Sequence, residues 1–473
     1  MSARGAKWSV AFNRFGLGAR GREAPASGDP REALRAELAA PDAGAPNPDL
    51  PTSAQRMAAF YANNDRAKPA PSASPSPAAT PPAAMAPTPM TGAPTPAATL
   101  TPAPNPINDA FQAETRARVE AGTGARIGYV ERLVAFWSNH FCIAANKSQP
   151  VRILAGAFER EAIRPYVLGR FADMARAAES HPAMLMFLDN AVSVGPTSRA
   201  GRNGKRGLNE NLAREILELH TLGVDGGYTQ ADVTEFACML TGWTFVGRDG
   251  KPDVRGTFVF NANGHEPGPR RLLGRIYAEA GVTQGQAALD DLARHPATAR
   301  HIARKFARSF VADNPPPGLV TRLADVFVKT EGDLSALARA LVADDEAWSA
   351  PPAKLRDPWQ MVLASFRALG LDTSKPALVN HALTLLGQPL WTPGGPNGFP
   401  DASDAWLSPE GMKMRVDVAA GFARRAKDTP PPGELLARVL PDASPATRDA
   451  VLRAESPQQA YALLLLAPEF QRR

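Results

Sequence analysis

From residue 109 to residue 473 apolar side chains return at intervals of three and four, with short Gly/Pro punctuation between the runs. That interval matches the turn of an α-helix, so the pattern predicts a succession of amphipathic helices. Strict alternation is scarce, and residues 256–260 form the best strand candidate. Upstream, residues 7–61 hold two more helical patterns, over 29–38 and 53–62, in a segment too short to stand as an independent domain. The expected fold class is therefore mainly α, a single large multi-helix domain with few short strands.

Between the two helical regions the pattern stops. Residues 69–106 hold 13 of the chain's 46 prolines, set in Ala, Ser and Thr, and no charged residue occurs from Pro69 to Asn108. Such a stretch has too little apolar surface for a core and is expected to be a disordered, extended insertion. The organisation read from this is an N-terminal segment over 1–62, a linker over 63–108 and a helical main domain over 109–473.

Composition narrows the function classes. The 473 residues carry 53 Lys+Arg against 47 Asp+Glu, a surplus of 6, too small for a dedicated nucleic-acid binder unless clustered. Only two cysteines occur, Cys142 and Cys238, each in a helical apolar pattern, and that count excludes a disulfide framework and a four-cysteine zinc site. Buried free thiols are expected. No apolar run reaches the ~18 to 20 residues of a membrane span, and the apolar stretch at 8–12 is short for a signal peptide. A soluble, cytoplasmic protein is the expectation.

Candidate chemistry lies where polar residues interrupt apolar faces. On the helix starting at Tyr129, Tyr129, Leu133, Phe136 and Trp137 share one face, and His140 falls in its middle. A histidine there must bond a backbone carbonyl or ligate something. A second helix, predicted over 208–222, builds an apolar arc from Leu208, Leu212, Ile216, Leu219 and Leu222, into which Glu215 projects. Asn209 and His220 fall on one flank, Asn211 and Glu218 on the other, and Glu210 and Arg214 pair on the back. The Glu215 carboxylate needs an arginine or a metal. Glu218 and His220 lack the spacing of a zinc-protease helix.

The next helix opens at Thr229 with Asp232 three positions on, a capping pattern. Cations Arg199, Arg202, Lys205 and Arg206 crowd a glycine-rich loop over 195–207 that lacks phosphate-loop order, so a solvated loop is the simpler reading. A second loop, 387–406, carries Trp391, Phe399 and Trp406 among glycines, suited either to stacking on a ligand or to closing over a helix bundle. His265 and Glu266 form a further donor–acceptor pair. His181 is expected to open a helix, and His295 and His301 to be surface residues.

NRFGLGA at 13–19, ERLVAFWSNHF at 131–141, HPAMLMFLDN at 181–190, GLNENLAREILELHTLGVDGGYTQADV at 207–233, LTGW at 240–243, HEPGPRRLLG at 265–274 and KLRDPW at 354–359 form one signature. It resembles the bacterial domain of unknown function 1800 family across nearly the whole chain except the proline-rich insertion. The resemblance implies no reaction. It does imply that relatives are often exported, which sets a periplasmic location beside the cytoplasmic one, and that a sulfatase/phosphatase-like protein is often encoded alongside as a partner. The tryptophan-to-histidine helix and the LHTL segment are also similar to the two histidine segments of animal-type haem peroxidases, without the spacing of that family.

Two function classes are open. In the first, an enzyme, His140, Asn209, Glu215 and His220, with Arg214 as charge partner, converge on a polar pocket between helices that His265 and Glu266 could join. His140, Glu215, His220 and His265 would then be the ligands of a divalent metal, if one is held. In the second, a non-catalytic binding or assembly protein for a surface polymer or the neighbouring hydrolase-like protein, these residues form a sealed network that fixes packing. Whether they face a pocket or are sealed discriminates the two.

Overall fold

The computed structural model describes residues 3–23, 27–66, 105–204 and 206–473. Among these the chain forms 22 α-helices and only two short antiparallel hairpins, so it is mainly α as the periodicity predicts. Trp243–Phe245 pairs with Phe258–Phe260, inside the expected strand, and Arg270–Leu272 pairs with Arg275–Tyr277. No helix of the described residues is long and apolar enough to cross a membrane.

Prolines outside the insertion have a consistent place. Among the described residues twelve α-helices begin on a proline, including Pro182–Phe187, Pro296–Phe310, Pro358–Leu369 and Pro457–Leu466. The first helical position has no intrahelical use for an N–H and suits the fixed proline φ. The preceding residue is often a cap: Asp357 Oδ1 accepts from Gln360 N at 2.8 Å, and His181 and His295 accept through Nδ1 from the N–H two residues on, each at 3.1 Å. Helix punctuation thus absorbs much of the proline surplus.

The helices on either side reach into the expected 63–108 linker. Ser53–Arg66 continues past residue 62, because 63–66 contain nothing that breaks a helix, and Pro106–Gly124 starts before 108, its amino end capped by Asn105, whose side chain accepts from Asn108 N at 3.1 Å. The expected insertion falls on residues 67–104, which lie outside the described residues.

One apolar cluster joins both sides of the insertion: Phe15, Leu17, Leu34 and Met57 belong to the same core as Trp137, Phe236, Phe306 and Leu464. The NRFG motif ties the early chain in. Leu17 N donates to Ile127 O at 3.0 Å, and the buried Arg14 guanidinium donates to Ala347 O at 2.8 Å and Ala350 O at 2.7 Å. Gly16 is required sterically, since a Cβ there would meet Ile127 O at 2.3 Å.

Candidate active site

The Tyr129–His140 helix buries Tyr129, Leu133 and Trp137, as the wheel predicts, and places His140 at its last turn. His140 meets a backbone carbonyl, the first of the two roles open to it, and a lysine besides. Its Nε2 lies 3.0 Å from His220 O, and its Nδ1 lies 2.9 Å from Lys305 Nζ. A carbonyl only accepts, so Nε2 carries the proton and Nδ1 is left as the acceptor facing the lysine. Burial and then the neighbouring Lys305 hold the imidazole pKa well below its usual value, in keeping with a neutral ring.

The carbonyl that His140 meets is free because of how the predicted 208–222 helix ends. An α-helical turn at Asn211–Glu215 gives way to a π-helical turn at Ile216–His220, which leaves its last carbonyls without standard partners. Side chains and the following loop supply them. Thr221 Oγ1 donates to Ile216 O at 2.6 Å, Gly223 N to Leu217 O at 3.2 Å, His301 Nε2 to Leu219 O at 3.0 Å and His140 Nε2 to His220 O. His301 is therefore a half-buried capping residue, not the surface residue expected, and burial lowers its pKa to about 4.

The other residues singled out go to different places. His220 is sealed: its Nδ1 lies 2.7 Å from Glu179 Oε1, both side chains essentially without solvent exposure. The contact is close but poorly directed, and among the described residues no hydrogen bond reaches either Glu179 oxygen or either His220 ring nitrogen. Asn209 does not share a flank with His220, because the helix starts only at Asn211. Its Oδ1 accepts from Asn211 N at 2.9 Å and its Nδ2 donates to Asp189 O at 3.3 Å. Glu215 is half-buried, with a pKa raised by burial. Arg214 pairs with Glu210 at 3.0 Å, and Glu210 also accepts from Gln230 and Thr234, so this back face joins two helices.

His265 and Glu266 form a separate clamp. His265 Nδ1 lies 3.0 Å from Thr241 O in the LTGW motif, while the Glu266 carboxylate accepts from Thr197 N at 2.8 Å and Thr197 Oγ1 at 2.7 Å in the glycine-rich loop. Consequently His140, Glu215, His220 and His265 do not converge, and among the described residues no three His, Cys, Asp or Glu side chains are placed to share a metal ion. His140 and His220 lie near each other, with ring centroids 5.8 Å apart.

What His140 does line is a cavity of about 250 Å³. Its walls come from the Tyr129–His140 helix (Arg132, Asn139), the Pro296–Phe310 helix (Lys305, Arg308), the start of Pro358–Leu369 and the 388–401 loop with Asp401. Trp391 and Trp406 are buried, so this loop closes over the bundle. Asn139 fastens it: Nδ2 donates to Phe399 O at 3.0 Å and Oδ1 accepts from Phe399 N at 2.8 Å. Trp391 adopts φ 48°, an unfavourable conformation for a bulky residue, on the cavity wall.

The cavity is cationic. Among the described residues the Arg132 guanidinium, on a side chain 2% exposed, meets Gly16 O at 3.2 Å, Ser309 O at 3.5 Å and the Phe310 ring at 4.9 Å, and no carboxylate. Asp401 is engaged by Lys354, with Nζ 3.6 Å from its carboxylate, and burial raises its pKa. Among the described residues no carboxylate is ion-paired with Lys305, and burial lowers its pKa to about 8. Cys142, also on the wall, has its thiol pushed up to about 12 by burial.

Lys305, Arg132 and Asp401 were not singled out from sequence. One signal existed: on the Pro296–Phe310 wheel Lys305 falls beside the apolar arc of Ile302, Phe306 and Phe310, next to His301. No curated protein and no solved structure matches the chain. The model of the family described as "Protein of unknown function (DUF1800)" matches residues 10–472, so the chain belongs to that family, as its motifs indicated.

Proposed function

We propose that the protein is an enzyme whose active site is the cavity beside His140, acting by acid–base chemistry on a small anionic molecule. The observation that carries this reading is the Lys305–His140 contact at 2.9 Å on the wall of a cavity that also holds Arg132, which has no carboxylate partner among the described residues. A half-buried amine without a counter-ion among the described residues and a neutral imidazole locked in one tautomer are poised to pass a proton. Arg132 and Arg308 supply the attraction for a carboxylate or phosphate, and the volume restricts the ligand to a small metabolite.

In this reading His140 and Lys305 do the chemistry. Glu215, Asn209, His220 and Arg214 support the fold around the π-helical turn. The alternative, a binding or assembly role beside a hydrolase-like partner, draws on the sealed His220–Glu179 pair. Calorimetric titration with inorganic phosphate and with succinate tests the site. Arg132→Gln is expected to weaken binding at least tenfold, and wild-type affinity in a folded Arg132→Gln protein would remove the basis for the proposal.

A further inference from the structure

Resting on that reading of the cavity, we infer that Lys305 is a nucleophile that forms an imine with a short oxo acid, a substrate carrying a carbonyl group close to a carboxylate or phosphate. Three features point to this chemistry. Among the described residues Lys305 Nζ has a single hydrogen-bond partner, the ring nitrogen His140 Nδ1, so its amine is not engaged by an ion pair. A lysine used only for structure is typically held as Lys354 is, with Asp313 Oδ1 at 2.8 Å. Arg132 and Arg308 line the same cavity as the amine and offer guanidinium groups to the anionic end of such a substrate. Lys305 and Arg308 are also three apart on one helix, which sets their side-chain bases roughly 5 to 6 Å apart. The cavity volume of about 250 Å³ limits such an acid to a short one.

The step balances without a further reactant. The Nζ lone pair attacks the carbonyl carbon, forming an N–C bond while the C=O π pair moves to oxygen. One N–H proton passes to His140 Nδ1 and returns to that oxygen, giving a neutral carbinolamine. A proton from solvent, carried by His140 Nδ1, protonates the hydroxyl. The C–O bond then breaks, water leaves, and nitrogen forms C=N as a protonated imine. Overall, one amine, one carbonyl and one proton give one iminium and one water.

The test uses the full-length protein with glyoxylate or pyruvate and sodium cyanoborohydride at pH 7, followed by peptide mass spectrometry. The expected result is a reduced adduct on Lys305 at an occupancy at least tenfold above any other lysine, suppressed by excess inorganic phosphate and absent in Lys305→Arg. Modification of Lys305 no greater than that of surface lysines, with phosphate or succinate binding retained, overturns the imine and leaves the cavity reading standing. Absence of both adduct and anion binding in the wild type overturns the two together. Because wild-type mapping alone decides the matter, a misfolded variant does not obscure the answer.

Discussion

Lys305 is a residue whose stability cost and proposed use share one origin, partial burial without a counter-ion among the described residues. The groups facing it are His140 and Cys142, neutral at pH 7, and the more distant Asp401. With its pKa lowered from 10.5 to about 8, the folded chain holds fewer protons at this site than the unfolded chain between those values. Wild-type stability should therefore rise with pH across that window, and below about pH 8 the full penalty is present. Lys305→Met removes the penalty and one hydrogen bond, so it is expected to stabilise by about 1 to 2 kcal/mol at pH 7, with the gain shrinking toward pH 10. Urea melts at the two pH values check this, and a variant less stable at both would show that the amine is not strained. The His220–Glu179 pair makes the opposite case. Removing one partner strands the other in the core, so Glu179→Ala should cost about 3 to 5 kcal/mol. A double-mutant cycle with His220→Ala should give a coupling above about 1 kcal/mol, and additivity would mean the contact carries nothing.

At the scale of elements, the sequence was most legible where a pattern repeats and least where a partner comes from far along the chain. The Tyr129–His140 helix, the capping box of Thr229 and Asp232, and the helix opened by His181 are dictated by local spacing and are all present. The end of the 208–222 helix is not, because a π-helical turn rotates every later side chain away from the α-helical wheel. That is why His220 meets Glu179 on Phe171–Ser180 instead of Asn209. The aromatic loop shows how an element fixes a site. Gly398 has φ +77°, and a Cβ there would meet Asn139 O at 2.5 Å, so the loop closes on the helix only through a glycine. Gly398→Ala and Asn139→Ala should both loosen the 394–400 turn, at a cost of about 1 to 3 kcal/mol. Hydrogen exchange should report faster exchange at the Phe399 amide and weaker phosphate binding, while core amides of Pro358–Leu369 keep their protection. Unchanged exchange at Phe399 in both variants would mean the clasp does not hold the loop.

For the whole molecule, composition located the insertion but left open how strongly the segment before it is bound to the helical domain beyond it. The answer lies in side chains that sequence spacing cannot connect. Arg367 Nε donates to Gly18 O at 2.8 Å, Arg356 Nη2 to Asn13 Oδ1 at 2.7 Å, and Arg438 Nη1 to Gly21 O at 3.0 Å. The Arg356 and Arg367 guanidinium groups reach main-chain carbonyls and an amide rather than carboxylates, and Arg438 reaches Gly21 O while also paired with Glu434, so charge patterning gave no hint of these long-range contacts. Together with Phe15, Leu17, Leu34 and Met57 in the common core, they make residues 3–23 and 27–66 part of the structure that carries the cavity. At roughly 1.5 to 3 kcal/mol for each fully buried large apolar side chain, these four alone hold the segment more firmly than a peptide tether needs to. A specific protease site introduced in place of residues 82–88 should therefore be cleavable to completion with the two pieces still co-eluting on size exclusion. They should separate only in denaturant, and phosphate binding should survive the cut. If the N-terminal piece elutes on its own under native conditions, these contacts are too weak to hold the core together without the covalent connection.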